Sequence, residues 1–223
     1  AYREWKNKSS VARGEILRVL ADLLEKEIDL VAETASREMG KTKNEMIGEV
    51  KRGASILRYY AQEGMRATGE ILPSANEDKI LYTKRVPLGV IAAITPWNFP
   101  VAIPLWKIAP ALVYGNTVVW KPSIEAALTG KLLGELFERA GFPKHVVNVV
   151  QGRGLNVGQV LLEATEVKAI TFTGSNGVGQ SILNTAGSTN KKIQLELGGK
   201  NAAIILADAD LKSAAKLTIE GAM

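Results

Sequence analysis

Asn98 stands between two prolines, in Pro96-Trp97-Asn98-Phe99-Pro100, just past an apolar run. Proline fixes its own φ and restricts the residue before it, so the tripeptide has few conformations. A carboxamide held that way can aim an N–H at an oxygen gaining negative charge; the other reading is a rigid turn with a structural Asn. Glu196 lies between leucines in Leu195-Glu196-Leu197-Gly198-Gly199-Lys200. Partial burial there would raise its pKa toward that of a base working near neutrality, and the two glycines let another group come close. A structural carboxylate paired with Lys200 is the alternative. Lys121 ends the run Val118-Val119-Trp120-Lys121, with Pro122 and a helix-capping Ser123 after it. NAD sites often carry an acid at such a strand end; an ammonium suits ribose oxygens instead, and a 2′-phosphate above all. An exposed lysine is the plain alternative.

Two glycine-rich turns complete the set. They are Gln151-Gly152-Arg153-Gly154-Leu155-Asn156-Val157-Gly158 and Thr173-Gly174-Ser175-Asn176-Gly177-Val178-Gly179. Each follows an apolar run and opens a helical pattern, where bare backbone N–H groups and the helix dipole suit a phosphate. Neither fits G-x-G-x-x-G, and ordinary tight turns remain the alternative for both.

The elements that carry these residues read from hydrophobic spacing. The spacing predicts helices over about 10–35 and 43–65, a loop or hairpin tip over 69–78 and an exposed strand over 80–86. Beyond these, short β-branched runs at 89–94, 117–120, 146–150, 169–173, 193–197 and 202–206 alternate with helical patterns at 101–113, 125–140, 154–164 and 178–186, and a last one from 211. Continuous apolar strands separated by helices mean parallel strands buried on both faces. The fold class is therefore α/β: a Rossmann-like, doubly wound parallel sheet with N-terminal helices, which binds ligands at the carboxyl ends of its strands.

Composition bounds the chemistry. The 223 residues are 46% hydrophobic and 23% charged, an ordinary globular mix. No cysteine occurs, so this chain holds no disulfide, thiolate metal site or thiol nucleophile. His145 is the only histidine; it reads as a surface residue, and no metal site is expected. The net charge of +5 comes from basic residues spread among acids, which argues for a solvated surface and against nucleic acid. No apolar run reaches the roughly 18 residues of a membrane helix. Trp5, Trp106 and Trp120 read as packing residues rather than stacking platforms. The residues alone stop at a nucleotide-binding α/β domain of an enzyme.

The same motifs occur in the same order in the aldehyde dehydrogenase superfamily. The chain resembles it at Pro96-Trp97-Asn98-Phe99-Pro100, at Trp106-Lys107-Ile108-Ala109-Pro110-Ala111-Leu112, at Lys121-Pro122-Ser123, at Phe172-Thr173-Gly174-Ser175 and at Leu195 to Lys200. Its nearest likeness is to the semialdehyde and 2,5-dioxopentanoate branch. The resemblance implies NAD(P)-dependent oxidation of an aldehyde to the acid through a cysteine thiohemiacetal and thioester. Asn98 would be the oxyanion donor and Glu196 the base for the deacylating water. The cofactor would lie against Thr95, Pro96, Trp97, Lys121, Ser123, Ile124, Gly154, Gly158, Phe172, Gly174, Ser175, Val178, Glu196, Leu197 and Gly198, and the substrate against Phe99 and Trp106. Residues 1–68 would be the N-terminal helices of the cofactor domain, 69–87 part of an oligomerisation arm, 88–198 the cofactor-binding core and 199–223 the start of a catalytic domain.

Further expectations follow from the resemblance. The nucleophilic cysteine would fall about seven residues past Met223, near position 230. The full-length protein would be a cytoplasmic homo-oligomer, a dimer or tetramer. Ile124 occupies the position at which NAD-preferring members carry Glu, with Glu125 one place later. Loss of that carboxylate beside Lys121 removes a repulsion against a 2′-phosphate, so NADP is expected, with NAD possible. Arg58 is a candidate partner for a substrate carboxylate, against a surface salt bridge as the plainer role. A non-catalytic nucleotide-binding module is the alternative function; Glu196 argues against acyl transfer to CoA or phosphate.

Overall fold

A computed structural model describes residues 1–187 and 189–222. The first part of the chain is four helices: α1 (Tyr2–Asn7), α2 (Ser10–Lys26), α3 (Ile28–Met39) and α4 (Lys43–Glu63). The Ser9 hydroxyl caps α2 by accepting from Ala12 N at 3.2 Å, and Thr42 with Glu45 forms a capping box on α4. The single helix expected over 10–35 is two helices, bent at Glu27 with φ −97° and ψ 18°. No Gly or Pro marks the bend, and the apolar spacing runs through it. Leu20 and Leu24 before it, and Val31, Ala32 and Ala35 after it, enter one core.

A loop or hairpin tip is expected over 69–78 and an exposed strand over 80–86; the chain instead forms one short antiparallel hairpin whose first strand falls inside the expected loop and whose second covers only part of the expected strand. Strand β1 (Ile71–Leu72) runs antiparallel to β2 (Leu81–Tyr82). Thr83 N donates to Glu70 O and Arg85 N to Thr68 O, both at 2.9 Å, so the ladder continues toward the domain. All four strand residues are exposed.

The remainder alternates strand and helix. In chain order it comprises β3 (Val90–Ile94), α5 (Ala102–Val113), β4 (Thr117–Lys121), a 3-10 turn (Ile124–Ala126), α6 (Ala127–Arg139), β5 (Val147–Val149), a π-turn (Gly154–Gly158), α7 (Gln159–Glu163), β6 (Val167–Gly174), α8 (Asn176–Gly187), β7 (Lys192–Leu197) and α9 (Leu211–Ala222). Five strands make one parallel sheet in the order β5-β4-β3-β6-β7. Ile91 and Ala93 point into the core with α2 to α6, and Ala92 between them points into a second core with α7 and α8. Burial on both faces explains why the strands read as unbroken apolar runs.

The strand expected over 202–206 does not form. Its residues belong to no helix or strand and are exposed, Ile204 by 85%, and no strand among the described residues pairs with them. β-branched composition marks a segment able to pair but supplies no partner edge. Among the described residues no helix is long and apolar enough to cross a membrane.

Candidate active site

The chain builds β3, β4 and β5 outward in one direction, then crosses back to lay β6 on the other side of β3. That reversal opens a crevice at the carboxyl ends of β3 and β6, the place where doubly wound sheets bind ligands. A cavity of about 980 Å³ lies there. Pro96, Trp97 and Asn98 line it from the loop after β3, and Gly174 and Ser175 from the end of β6. Glu196 and Leu197 line it from β7, Gly198 from just after that strand, and Trp106 from α5. Residues separated by about half the chain thus share one wall.

Glu196 departs from expectation in one respect. It is exposed rather than partly buried, because β7 is an edge strand whose cavity face nothing among the described residues covers. It sits level with Thr173 on β6. Its carboxylate accepts from the Gln194 amide at 2.8 Å, and no ion pair joins it to Lys200 among the described residues. Phe99 and Trp106 are each 42% exposed; Trp106 lines the cavity, whereas Trp5 and Trp120 are packing residues buried in the core.

Lys107 is a cavity residue that the sequence reading passes over. Its ammonium is buried and donates to Thr171 Oγ1 at 2.9 Å and Gln194 Oε1 at 3.0 Å. Burial pulls its pKa down to about 8, against the opposing pull of Glu196. The signal was a lone charge inside an apolar helical run, Trp106 to Val113.

The remaining expected cofactor residues lie around the ends of β3, β4, β5 and β6, outside the cavity lining. Lys121 pairs with Ile94 across β3 and β4. It is buried, its Nζ donates to Pro122 O at 3.2 Å, and desolvation lowers its pKa while Glu125 opposes. Ser123 does not cap the following helix. Its hydroxyl donates to the Glu125 carboxylate, and α6 is capped instead by Glu38 of α3, which accepts from Leu128 N and Thr129 N at 2.7 Å each. Ile124 is half exposed beside them. Gly154 and Gly158 begin and end the π-turn after β5. Thr95 and Phe172 are buried; the Thr95 hydroxyl accepts from the Trp120 indole at 2.9 Å. Val178 is exposed in the first turn of α8.

The donor set fits a dinucleotide. The first turn of α8 leaves backbone N–H groups without partners in the helix. A Cβ at Gly198 would meet nothing closer than Asn176 Oδ1 at 3.8 Å, so the wall there is bare backbone facing open space. Gly174 has a different cause: a Cβ on it would lie 2.4 Å from the Phe172 ring, so packing alone demands glycine. Among the described residues no three His, Cys, Asp or Glu side chains gather to hold a metal.

Comparison with known proteins agrees with this geometry. Over 218 residues the chain is 53% identical to the alpha-ketoglutaric semialdehyde dehydrogenase of Bacillus subtilis, covering 98% of the chain and 45% of that protein. It is 41% identical over 222 residues to the 2,5-dioxopentanoate dehydrogenase of Saccharolobus solfataricus, 99% of the chain and 46% of that protein. A crystal structure of betaine aldehyde dehydrogenase from Staphylococcus aureus in complex with NAD+ superposes with a TM-score of 0.95 at 35% identity, over 98% of this chain and 43% of that one. The chain thus spans a little under half the length of the relatives it matches. All of its residues, 1–223, match the family profile, and the chain belongs to the aldehyde dehydrogenase family.

Proposed function

We propose that this chain carries the cofactor site, the oxyanion donor and the general base of an NAD(P)-dependent enzyme that oxidises an aldehyde to its carboxylic acid. The observation that carries the reading is that Asn98 and Glu196 line one cavity at the switch point of the sheet, beside the bare backbone of Gly198. Asn98 donates its amide N–H to the aldehyde oxygen as that oxygen gains charge. Glu196 takes a proton from the water that releases the acid. The nucleophile is a thiolate that is not among these 223 residues. The dinucleotide, when bound, supplies the two-electron acceptor, and the chain's part is to hold it: backbone N–H groups of α8 for the pyrophosphate, Lys121 for the adenosine ribose.

NADP is the cofactor this site fits better. No carboxylate stands at position 124, Lys121 offers a cation, and the Ser123 hydroxyl ties Glu125 down. The aldehyde is a semialdehyde, one with an anionic far end. Arg58 is not its partner, since its guanidinium holds Asp22 at 2.9 Å and Glu25 at 2.5 Å. Arg52 is, because its guanidinium lies 4.8 Å over the ring of Trp106, a lining residue, and it makes no ion pair among the described residues. The enzyme is a cytoplasmic homo-oligomer, dimer or tetramer, with the exposed apolar hairpin of Ile71, Leu72, Leu81 and Tyr82 in its interface.

Titration of this chain with NADPH and with NADH, following nicotinamide fluorescence, tests the cofactor site. Saturable binding with tighter NADPH is expected; binding of neither overturns the reading.

A further inference from the structure

Glu49 is a carboxylate in the core of α4, with its side chain only 1% exposed. Its Oε1 accepts from Val101 N at 2.8 Å and Ala102 N at 3.0 Å, the first N–H groups of α5. That helix has no cap of its own, so a residue 52 positions away in sequence supplies one. The other oxygen, Oε2, accepts from Lys41 Nζ at 3.1 Å. Lys41 does more than neutralise it. The same Nζ donates to the backbone carbonyl of Asn98 at 2.9 Å and lies 3.7 Å from the centre of the Phe99 ring. The ammonium and carboxylate therefore grip the Asn98 loop on both sides of Pro100.

An ion pair whose carboxylate is buried adds little stability by itself, since desolvation offsets much of the attraction. Its placement suits a different task. Asn98 must hold its amide N–H within a few tenths of an ångström of a developing oxyanion, and the loop's own prolines fix only part of its backbone. We propose that Lys41 and Glu49 are positioning residues for Asn98: they fix the peptide on its C-terminal side and so set the direction of its carboxamide.

The inference rests on the reading of Asn98 as oxyanion donor, and a double-mutant comparison in the full-length protein separates the two. Asn98→Ala is expected to lower kcat for aldehyde oxidation by about 100-fold. Lys41→Met is expected to lower it by about 10- to 100-fold, with cofactor Kd within about twofold, because the clamp lies away from the β4 and β5 ends that hold the adenosine side. Lys41→Met added to Asn98→Ala is expected to cost nothing further, as for residues that act as one unit. Lys41→Arg, which keeps charge and donors, is expected to restore most of the rate. If Lys41→Met lowers kcat by the same factor in both backgrounds, the pair is merely structural and the proposal is wrong. If Asn98→Ala leaves kcat unchanged, the underlying reading of Asn98 fails instead. Should Lys41→Met not fold, Lys41→Gln, which retains one donor, is compared in the same two backgrounds and read by the same rule.

Discussion

Lys107 and Glu196 lie at the two ends of one hydrogen-bond chain. Gln194 joins them: its Oε1 accepts from the ammonium at 3.0 Å and its Nε2 donates to the carboxylate at 2.8 Å. Cation and anion together fix which way the Gln194 amide faces. Thr171, level with Gln194 across β6 and β7, gives the ammonium a second acceptor. The wall of the cavity below Glu196 is thus a satisfied polar network with a buried cation at its foot.

That cation makes stability depend on pH in a stated direction. The unfolded lysine keeps its proton up to 10.5, whereas the folded one releases it at about 8. Between those values the unfolded chain binds more protons, so stability rises with pH. The shift bounds the effect at about 3 kcal/mol. Lys107→Met removes it. The unfolding free energy of the wild type minus that of the variant should therefore grow by about 1–3 kcal/mol from pH 7.5 to 10.5. Denaturant titrations at those two pH values measure it, and a constant difference would show that the ammonium is not desolvated.

The proposed preference for NADP turns on one side chain. Ile124→Glu places a carboxylate beside Lys121, where it accepts from ribose hydroxyls and repels a 2′-phosphate. The ratio of NADPH to NADH affinity of this chain should fall by about tenfold, or ~1.4 kcal/mol. An unchanged ratio would place the 2′-position away from residue 124.

Asn98 was legible because two prolines bracket it, and Glu196 because one acid interrupts leucines; both signals are local. The sheet was legible because burial on both faces leaves unbroken apolar runs. What sequence left unread arises from distant pairing. Ser123 looks like a helix cap, yet Glu38, 90 residues from Leu128, does the capping. Lys107 stands as one charge in an apolar run, and its partners Thr171 and Gln194 come into reach only when α5 is laid against β6 and β7. Residues 202–206 have the composition of a strand, but composition names no partner edge.

Thr95 separates a packing role from a ligand role. Its buried hydroxyl accepts the Trp120 indole N–H, and Trp120 is fully buried. Thr95→Val keeps the shape and strands that N–H, which should cost about 1–3 kcal/mol of stability. Nicotinamide cofactor affinity should stay within about twofold, since Val leaves the backbone intact. A larger loss in a folded variant would mean that the hydroxyl reaches the cofactor.

Arg52 and Arg58 lie on the same helix and offer the same group, but their surroundings differ. Asp22 and Glu25 neutralise Arg58, so a substrate carboxylate would have to displace two anions to reach it. Arg52 spends its charge on the face of Trp106 and has no competing anion among the described residues. An exposed cation–π contact is worth about 0.5–1 kcal/mol, less than a charge-assisted hydrogen bond to a carboxylate at about 1.5–3 kcal/mol. A substrate anion can therefore draw the guanidinium off the ring. In the full-length protein, Arg52→Leu should raise KM about 10-fold or more for an aldehyde with a terminal carboxylate, the equivalent of ~1.4 kcal/mol. It should leave KM for a neutral aldehyde of equal length within about twofold, because uniform binding of the tail is all that is lost. Arg58→Leu should change neither. Equal losses on both aldehydes would mean that Arg52 shapes the cavity mouth through Trp106 and does not read charge.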